Sequence, residues 1–248
     1  MIVKLQNKTI YCFSDSHFGA GDNQQENAKF FKFQKLLKQI TDDQNVLFIL
    51  GDLFDFWFEF DDSIPENYKP ILKELKAASD KGLEIHFIGG NHDWWTEEQF
   101  LKHTGAIIYK EPITVEAFGV KFFMAHGDGF AQSDWGYRNV LKPILRNPID
   151  IWLFKHIPVF MGQKLARLVS NGSKIYTVKR NLSLTDEYIE FAKKKISEGF
   201  KFVVFGHTHE PAKIVDLMGG KYINSGDFFQ QYSYLEIKNG IPKIRWIT

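Results

Sequence analysis

The chain has 248 residues, 44% of them hydrophobic and 25% charged, which is enough to bury a sizeable core at the scale of one large domain. Its 31 Lys and Arg against 30 Asp and Glu leave a net charge of +1, so no global field points to a nucleic-acid partner, and any anion site must come from local clustering. The single cysteine, Cys12, excludes an internal disulfide framework and suits a reducing, cytoplasmic compartment, and neither a signal-peptide apolar region nor a run of membrane-spanning length is expected.

In chain order, a strand-length apolar run at 9–14 is followed by a helix-like segment at 24–41, a second run at 46–50, another helix-like segment at 67–81 and a third run at 83–88. The runs are too short for ordinary helices and rich in Val, Ile and Phe, so they read as buried strands. In the first helix-like segment Phe30, Phe33, Leu37 and Ile40 recur at spacings of three and four, a core-facing stripe. The resulting β-α-β-α-β order predicts a layered α/β fold.

The aromatic run at 54–60 is expected to fill core. Further on, 113–117 and 120–125 flank Phe118 and Gly119 as a hairpin, a strand-like run lies at 201–205, and the tail from Lys221 has short β-like runs broken by Asn239, Gly240 and Pro242. The second half is therefore more antiparallel in character. Between these parts, about 134–180 carries no strong strand run and is punctuated by Pro143, Pro148, Pro158 and Gly162, which predicts a helical insertion into an otherwise single domain spanning 1–248.

Each strand-like run ends in polar, metal-capable residues: Ser14-Asp15-Ser16-His17, Gly51-Asp52, Gly89-Gly90-Asn91-His92-Asp93, Ala125-His126-Gly127-Asp128 and Gly206-His207-Thr208-His209. Ligands of α/β sheets bind outside the carboxyl ends of strands, so these clusters are expected to converge on one site. Carboxylate, imidazole and amide oxygen without thiolate favour Mn, Fe or Zn over a soft-metal centre. The spacing of Asp15 to His17 and of His207 to His209 predicts extended strand ends with both side chains on one side. Gly51 lets the chain turn so that the two oxygens of Asp52 can bridge two cations, and water activated there would serve as nucleophile, with no Ser or Cys required. Cys12 reads as an inert buried thiol. His92 is placed to protonate a leaving oxygen with Asp93 orienting it, and Asp55 is expected to steady a ligand histidine or loop. His86, His103 and His156 lie outside the clusters and read as structural.

The order D-x-H, G-D-x-x-D (Gly51, Asp52, Asp55), G-N-H-D (Gly90 to Asp93), H-G-D (His126 to Asp128) and G-H-T-H (Gly206 to His209) resembles the calcineurin-like metallophosphoesterases. The resemblance implies an α/β class fold, a β-sandwich flanked by helices with a helical cap insertion. It also implies two divalent ions, Mn²⁺ first with Fe or Zn as alternatives, one held by Asp15, His17, Asp52 and His209 and the other by Asp52, Asn91, His126 and His207. A narrower resemblance is to the UDP-2,3-diacylglucosamine diphosphatases of lipid A synthesis. It rests on the block at 51–60 and on Ser133-Asp134-Trp135-Gly136-Tyr137-Arg138, although His92 stands where that family commonly has Arg. That resemblance implies cleavage of a pyrophosphate to UMP and 2,3-diacylglucosamine 1-phosphate, with substrate contacts from Asn91, His92, Asp128, Asp134, Tyr137 and Arg138. The alternatives are a soluble phosphatase or phosphodiesterase acting on nucleotides or phosphoproteins, and a non-catalytic scaffold.

From Phe130 to Arg180 the acids are Asp134 and Asp150 alone, against nine Lys and Arg interleaved with residues such as Ile149, Trp152 and Phe154. Such a composition fits contact with acyl chains or with an anionic membrane, which the resemblance implies is the cytoplasmic face of the inner membrane.

Overall fold

The computed structural model describes residues 1–6, 8–59, 64–156 and 181–248. Two six-stranded sheets make up its centre. One contains β2 (Thr9–Phe13), β3 (Asn45–Ile49), β4 (Glu84–Ile88) and β5 (Ile107–Tyr109) in parallel, with β11 (Ser233–Lys238) and β12 (Ile241–Trp246) antiparallel beyond β2. The other runs in the order β1 (Ile2–Lys4), β6 (Ile113–Ala117), β7 (Val120–Met124), β8 (Phe202–Phe205), β10 (Gly220–Asn224) and β9 (Lys213–Leu217).

Strand alternation decides what each face meets. Ile10 and Cys12 of β2, with Val46 and Phe48 of β3, pack against Val115, Phe122, Met124 and Val204 in the core between the sheets. Their neighbours Phe13, Leu47 and Ile49 face outward against α1 (Asn23–Ile40), α2 (Lys69–Asp80) and α3 (Glu98–Thr104) through Phe33, Leu37, Leu72, Leu75 and Phe100. On the far side, Phe123, Val203 and Phe205 meet Tyr188 and Ala192 of α6 (Asn181–Ser197). The expected sandwich between helices is therefore present. α1 starts on a capping box in which the Asp22 side chain accepts from Gln25 N and the Gln25 side chain accepts from Asp22 N.

The hairpin around Phe118 and Gly119 forms as expected, both residues having positive φ. The second half is mixed: β9–β10 and β11–β12 are antiparallel, but β7, β8 and β10 run parallel, which brings the ends of β7 and β8 to the same rim. Within the expected insertion, a single π turn at Tyr137–Leu141 leads into α4 (Lys142–Arg146) and α5 (Pro148–Lys155). The rest of that stretch, 157–180, lies outside the described residues, as does Phe60 of the aromatic run.

Candidate metal centre

All five motif clusters follow strands that end at one rim. Beyond the strands the loops continue to pair: Asp15 N donates to Gly51 O (3.1 Å), His17 N to Asp52 O (3.0 Å) and Gly206 N to His126 O (2.8 Å). Gly51, at φ 82°, turns the β3 loop where a Cβ would lie 2.7 Å from the Gly90 backbone and from His126 Nδ1. At Gly90 a Cβ would stand 2.1 Å from Asp52 Oδ1. Only glycines let these loops approach so closely.

The Asp-x-His and His-x-His pairs do not work through extended backbone, as their spacing predicts. β2 stops at Phe13 and β8 at Phe205, and Asp15 (φ 56°), His17 (44°), His207 (69°) and His209 (53°) are all left-handed, as is Asp52 (53°). A β-carbon residue at positive φ costs on the order of 1 kcal/mol, and five such residues at one rim are strain concentrated where side chains converge.

Around Asp15 and Asp52 the contact atoms fall into two sets. In the first, His17 Nε2 and His209 Nε2 are 3.1 Å apart, and Asp15 Oδ1 lies 3.6 Å from His209 Nε2 and 3.9 Å from His17 Nε2. In the second, His126 Nε2 is 3.1 Å from both His207 Nδ1 and Asn91 Oδ1. Asp52 joins them, its Oδ2 standing 3.4 Å from His126 Nε2 and 3.7 Å from His17 Nε2. The structure thus brings together all seven expected ligands.

These residues fit a pair of cations. Each carboxylate spends one oxygen on a backbone amide, Asp15 Oδ2 on His207 N (2.8 Å) and Asp52 Oδ1 on His92 N (2.9 Å). Each then turns the other oxygen into the imidazoles, and Asp15 Oδ1 is fully buried with no hydrogen-bond partner among the described residues. Asp52 stands between the two sets, so it is the residue that would be shared by both cations. His126 Nδ1 donates to Leu50 O (2.7 Å), which turns Nε2 toward the centre.

Electrostatics follow the same geometry. Burial pushes the Asp15 carboxyl up. Burial also acts to raise Asp52, but His126, His92 and His17 outweigh it and hold Asp52 well below the usual carboxylate range. Burial acts to lower His126, yet Asp52, Asp15 and Asp128 drive it up to about 10. His207, desolvated and beside His126, is pushed down to about 3.

Asp93 does not orient His92. Its carboxylate accepts the backbone N–H groups of Asp52 (3.0 Å), Leu53 (2.7 Å) and Gly90 (2.9 Å), tying the β3 and β4 loops together, and burial with the nearby Asp52 raises it to about 7. The His92 ring is held instead by Asp55, whose carbonyl accepts from Nδ1 (2.6 Å), while Asp55 Oδ1 lies 3.8 Å from His17 Nδ1. Nε2 of His92 is left toward the centre, 3.9 Å from Asp52 Oδ2.

Asp128 lies beside this centre and gathers three donors: the Tyr137 hydroxyl (2.8 Å), Lys142 Nζ (2.9 Å) and Arg146 Nη2 (2.9 Å). Asp134 and Arg138 sit on the following turn, where Arg138 N donates to Asp134 O (2.9 Å). The Arg138 side chain is exposed and makes no hydrogen bond or ion pair among the described residues.

Motif spacing does not single out Lys29, Lys110, Lys142 or Arg146 as site residues. Lys29 is buried, and its Nζ donates to Ser16 O and His17 O (both 2.8 Å) and pairs with Glu26 (2.9 Å), which itself accepts Gly19 N and Gly21 N (both 2.9 Å). A signal existed: Lys29 stands four residues before Phe33, in register with the apolar stripe. His86, outside the site, is buried between Glu84 (2.8 Å) and the Tyr109 hydroxyl (2.8 Å), a structural setting.

Two sheets between helices, with aspartates, histidines and an asparagine at the strand ends, define a metallophosphoesterase. The family model for calcineurin-like phosphoesterases matches residues 8–211, and the chain belongs to that family. It is an enzyme of that class, whose fold implies divalent metals. Among its relatives, a protein named UDP-2,3-diacylglucosamine hydrolase from Pseudomonas entomophila (strain L48) is 33% identical over 186 residues, 73% of this chain and 77% of that protein. Another of the same name from Vibrio parahaemolyticus is 32% identical over 197 residues, 78% of this chain and 81% of the relative. The crystal structure of a dimetal phosphatase from Danio rerio shares the fold at a TM-score of 0.50 and 11% identity, covering 98% of this chain and 99% of its own.

Proposed function

We propose that this chain hydrolyses the pyrophosphate bond of UDP-2,3-diacylglucosamine, giving UMP and 2,3-diacylglucosamine 1-phosphate. The observation that carries the reading is the likeness to hydrolases of that name over about three quarters of the chain, together with a candidate metal centre at the strand ends. Asp15, His17, Asp52 and His209 would hold one cation, and Asp52, Asn91, His126 and His207 the other, with Mn²⁺ as the working metal. When bound, such a pair supplies Lewis acidity at phosphorus and lowers the pKa of water.

The chain's own residues do the rest. His92, fixed through Nδ1 by the Asp55 carbonyl, presents Nε2 where a protonated imidazole can donate to the leaving oxygen or to a phosphate oxygen. Asn91 doubles as ligand and phosphate donor. Asp128 acts by holding Tyr137, Lys142 and Arg146, and Asp134 and Arg138 lie on the turn that leads into the helical segment.

The segment from Trp135 through α5 would be the described part of a helical cap insertion within a single domain of 1–248. Its exposed Trp135, Ile144, Ile149 and Trp152 suit acyl chains and peripheral contact with an anionic membrane on the cytoplasmic face. No helix among the described residues is long and apolar enough to cross a membrane. A second reading, a phosphodiesterase acting on nucleotides, is favoured by His92 in the place of Arg.

The test is a substrate panel with Mn²⁺: UDP-2,3-diacylglucosamine, its deacylated form, diadenosine polyphosphates and bis-p-nitrophenyl phosphate. Turnover of the acylated substrate well above that of the deacylated one is expected. Equal rates on the two would count against the lipid and in favour of the second reading.

A further inference from the structure

Beside His126 and Asp128 lies a pocket of about 250 Å³, whose walls include Lys110, Lys142, Arg146 and Glu111. It is smaller than the roughly 300–1,000 Å³ that whole ligands occupy, so its size suits one group of a larger molecule. The three cations come from separate places in the chain. Lys110 follows β5 and donates to the carbonyls of Trp94 and Thr96. Lys142 opens α4, and Arg146 closes it.

Two of the three are partly neutralised by Asp128. Arg146 gives only Nη2 to that carboxylate, lies 5.0 Å over the Trp94 ring, and has no other hydrogen-bond partner among the described residues. Lys110 lies 4.8 Å over the same ring and forms no ion pair among the described residues. Glu111, the remaining acid on the wall, is solvent-exposed. The inner wall therefore carries cationic charge in excess of its carboxylate. It also holds a guanidinium already oriented by an ion pair and an indole face, with N–H groups to spare.

We propose that this pocket is an anion subsite adjoining the metal centre, taking the second phosphate of a diphosphate substrate while the scissile phosphate lies on the cations. The inference rests on the pyrophosphate reading of the site and adds residues to it. A phosphate here would accept from Arg146 and Lys110 at once, both of them lying over the Trp94 ring. Burial depresses Lys110 to about 8 despite Glu97, Glu59 and Asp93, and Arg146 lowers it further, so a bound anion would stabilise a cation that the fold itself leaves poorly compensated.

The experiment is calorimetric titration of Mn²⁺-loaded protein with UMP and with UDP, probes that differ by one phosphate, on the wild type, Lys110→Gln and Arg146→Met. Glutamine retains a donor for the Trp94 and Thr96 carbonyls while removing the charge. The expected result is UDP affinity falling about tenfold in each variant, UMP affinity staying within about twofold, and Mn²⁺ affinity unchanged. Equal losses for UDP and UMP, or no loss for either in both variants, would overturn the subsite. Should Lys110→Gln fail to fold, Arg146→Met carries the same comparison, because Asp128 keeps its ion pair with Lys142. The two readings separate cleanly. A wild type that favours UDP through Lys110 but does not cleave UDP-2,3-diacylglucosamine loses the substrate and keeps the subsite; cleavage with unaltered UDP binding in the variants keeps the substrate and loses the subsite.

Discussion

The strand-end rim and the helical segment from Tyr137 to Lys155 solve opposite problems with opposite materials. At the rim, charged side chains are buried: Asp15, His17, Asp52 and His126 are nearly inaccessible, and five of the converging residues sit on left-handed backbone. In the segment, apolar side chains are exposed. Ile151 and Phe154 of α5 turn inward with Leu145 of α4 onto Phe58 and Trp95, whereas Ile149, Trp152 and Leu153 face outward. A helix apolar on both faces, with one face uncovered, is built to meet something besides its own core. Buried charge favours a counter-charge and exposed apolar surface favours an apolar partner, so the proposed substrate, an anionic head on an acylated body, would use both regions.

That contrast is broken most sharply at Asp52, the one residue common to both ligand sets. Asp52→Asn keeps the shape and the oxygen that accepts from His92 N but removes the charge shared between the sets. Turnover should fall by at least about a thousandfold, on lipid and aryl substrates alike, and Mn²⁺ content should drop with it. Removing metal from the wild type with EDTA should reproduce the loss, and Mn²⁺ should restore it. Retained hydrolysis by metal-free protein would end the account of the rim.

The rim was legible in the sequence because its residues are short motifs, each directly after a strand-length apolar run, and parallel strands must deliver their ends to one side. What could not be read was how the side chains are aimed. Period-two reasoning put Asp15 and His17 on extended backbone, but the loops are left-handed because they pair with one another rather than with a strand. Adjacency pairs Asp93 with His92, yet its carboxylate serves amides of Asp52 and Leu53 some forty residues away. β1 and β5, three residues each, are too short to carry a periodic signal and exist through pairing with β6 and β4. In the helical segment composition gave the character, basic and apolar, while the choice of Lys142 and Arg146 to face Asp128 depended on where α4 docks.

Lys29 tests whether the rim's geometry is held from behind. Its ammonium donates to two carbonyls of the Asp15–His17 loop inside the protein. Lys29→Met leaves both carbonyls buried and unsatisfied, at about 1–3 kcal/mol each, which should lower Tm by several degrees. A structural role alone would stop there. A positioning role predicts more: in calorimetric titration one Mn²⁺ step, that of the Asp15–His17–His209 set, should weaken about tenfold, with the other held within about twofold. Two steps that weaken equally, or not at all, would reduce Lys29 to a stabiliser.

The smallest effect belongs to the helical segment and bears on the other half of the comparison. Ile149 and Trp152 are 68% and 59% exposed, so replacing both with Ser should change stability by no more than about 0.5 kcal/mol per site. If they cover acyl chains or sit in a membrane, the pair contributes on the order of 1.5 kcal/mol of apolar burial only when lipid is present. The double variant should then raise KM for UDP-2,3-diacylglucosamine by about tenfold and weaken sedimentation with phosphatidylglycerol vesicles. Hydrolysis of bis-p-nitrophenyl phosphate, which needs the rim alone, should stay at the wild-type rate. A KM shift without vesicle release would place these side chains on the substrate's chains, and vesicle release without a KM shift would place them on the membrane. If neither moves, the exposed apolar face does not serve lipid, and the rim would be left to act on a soluble phosphodiester.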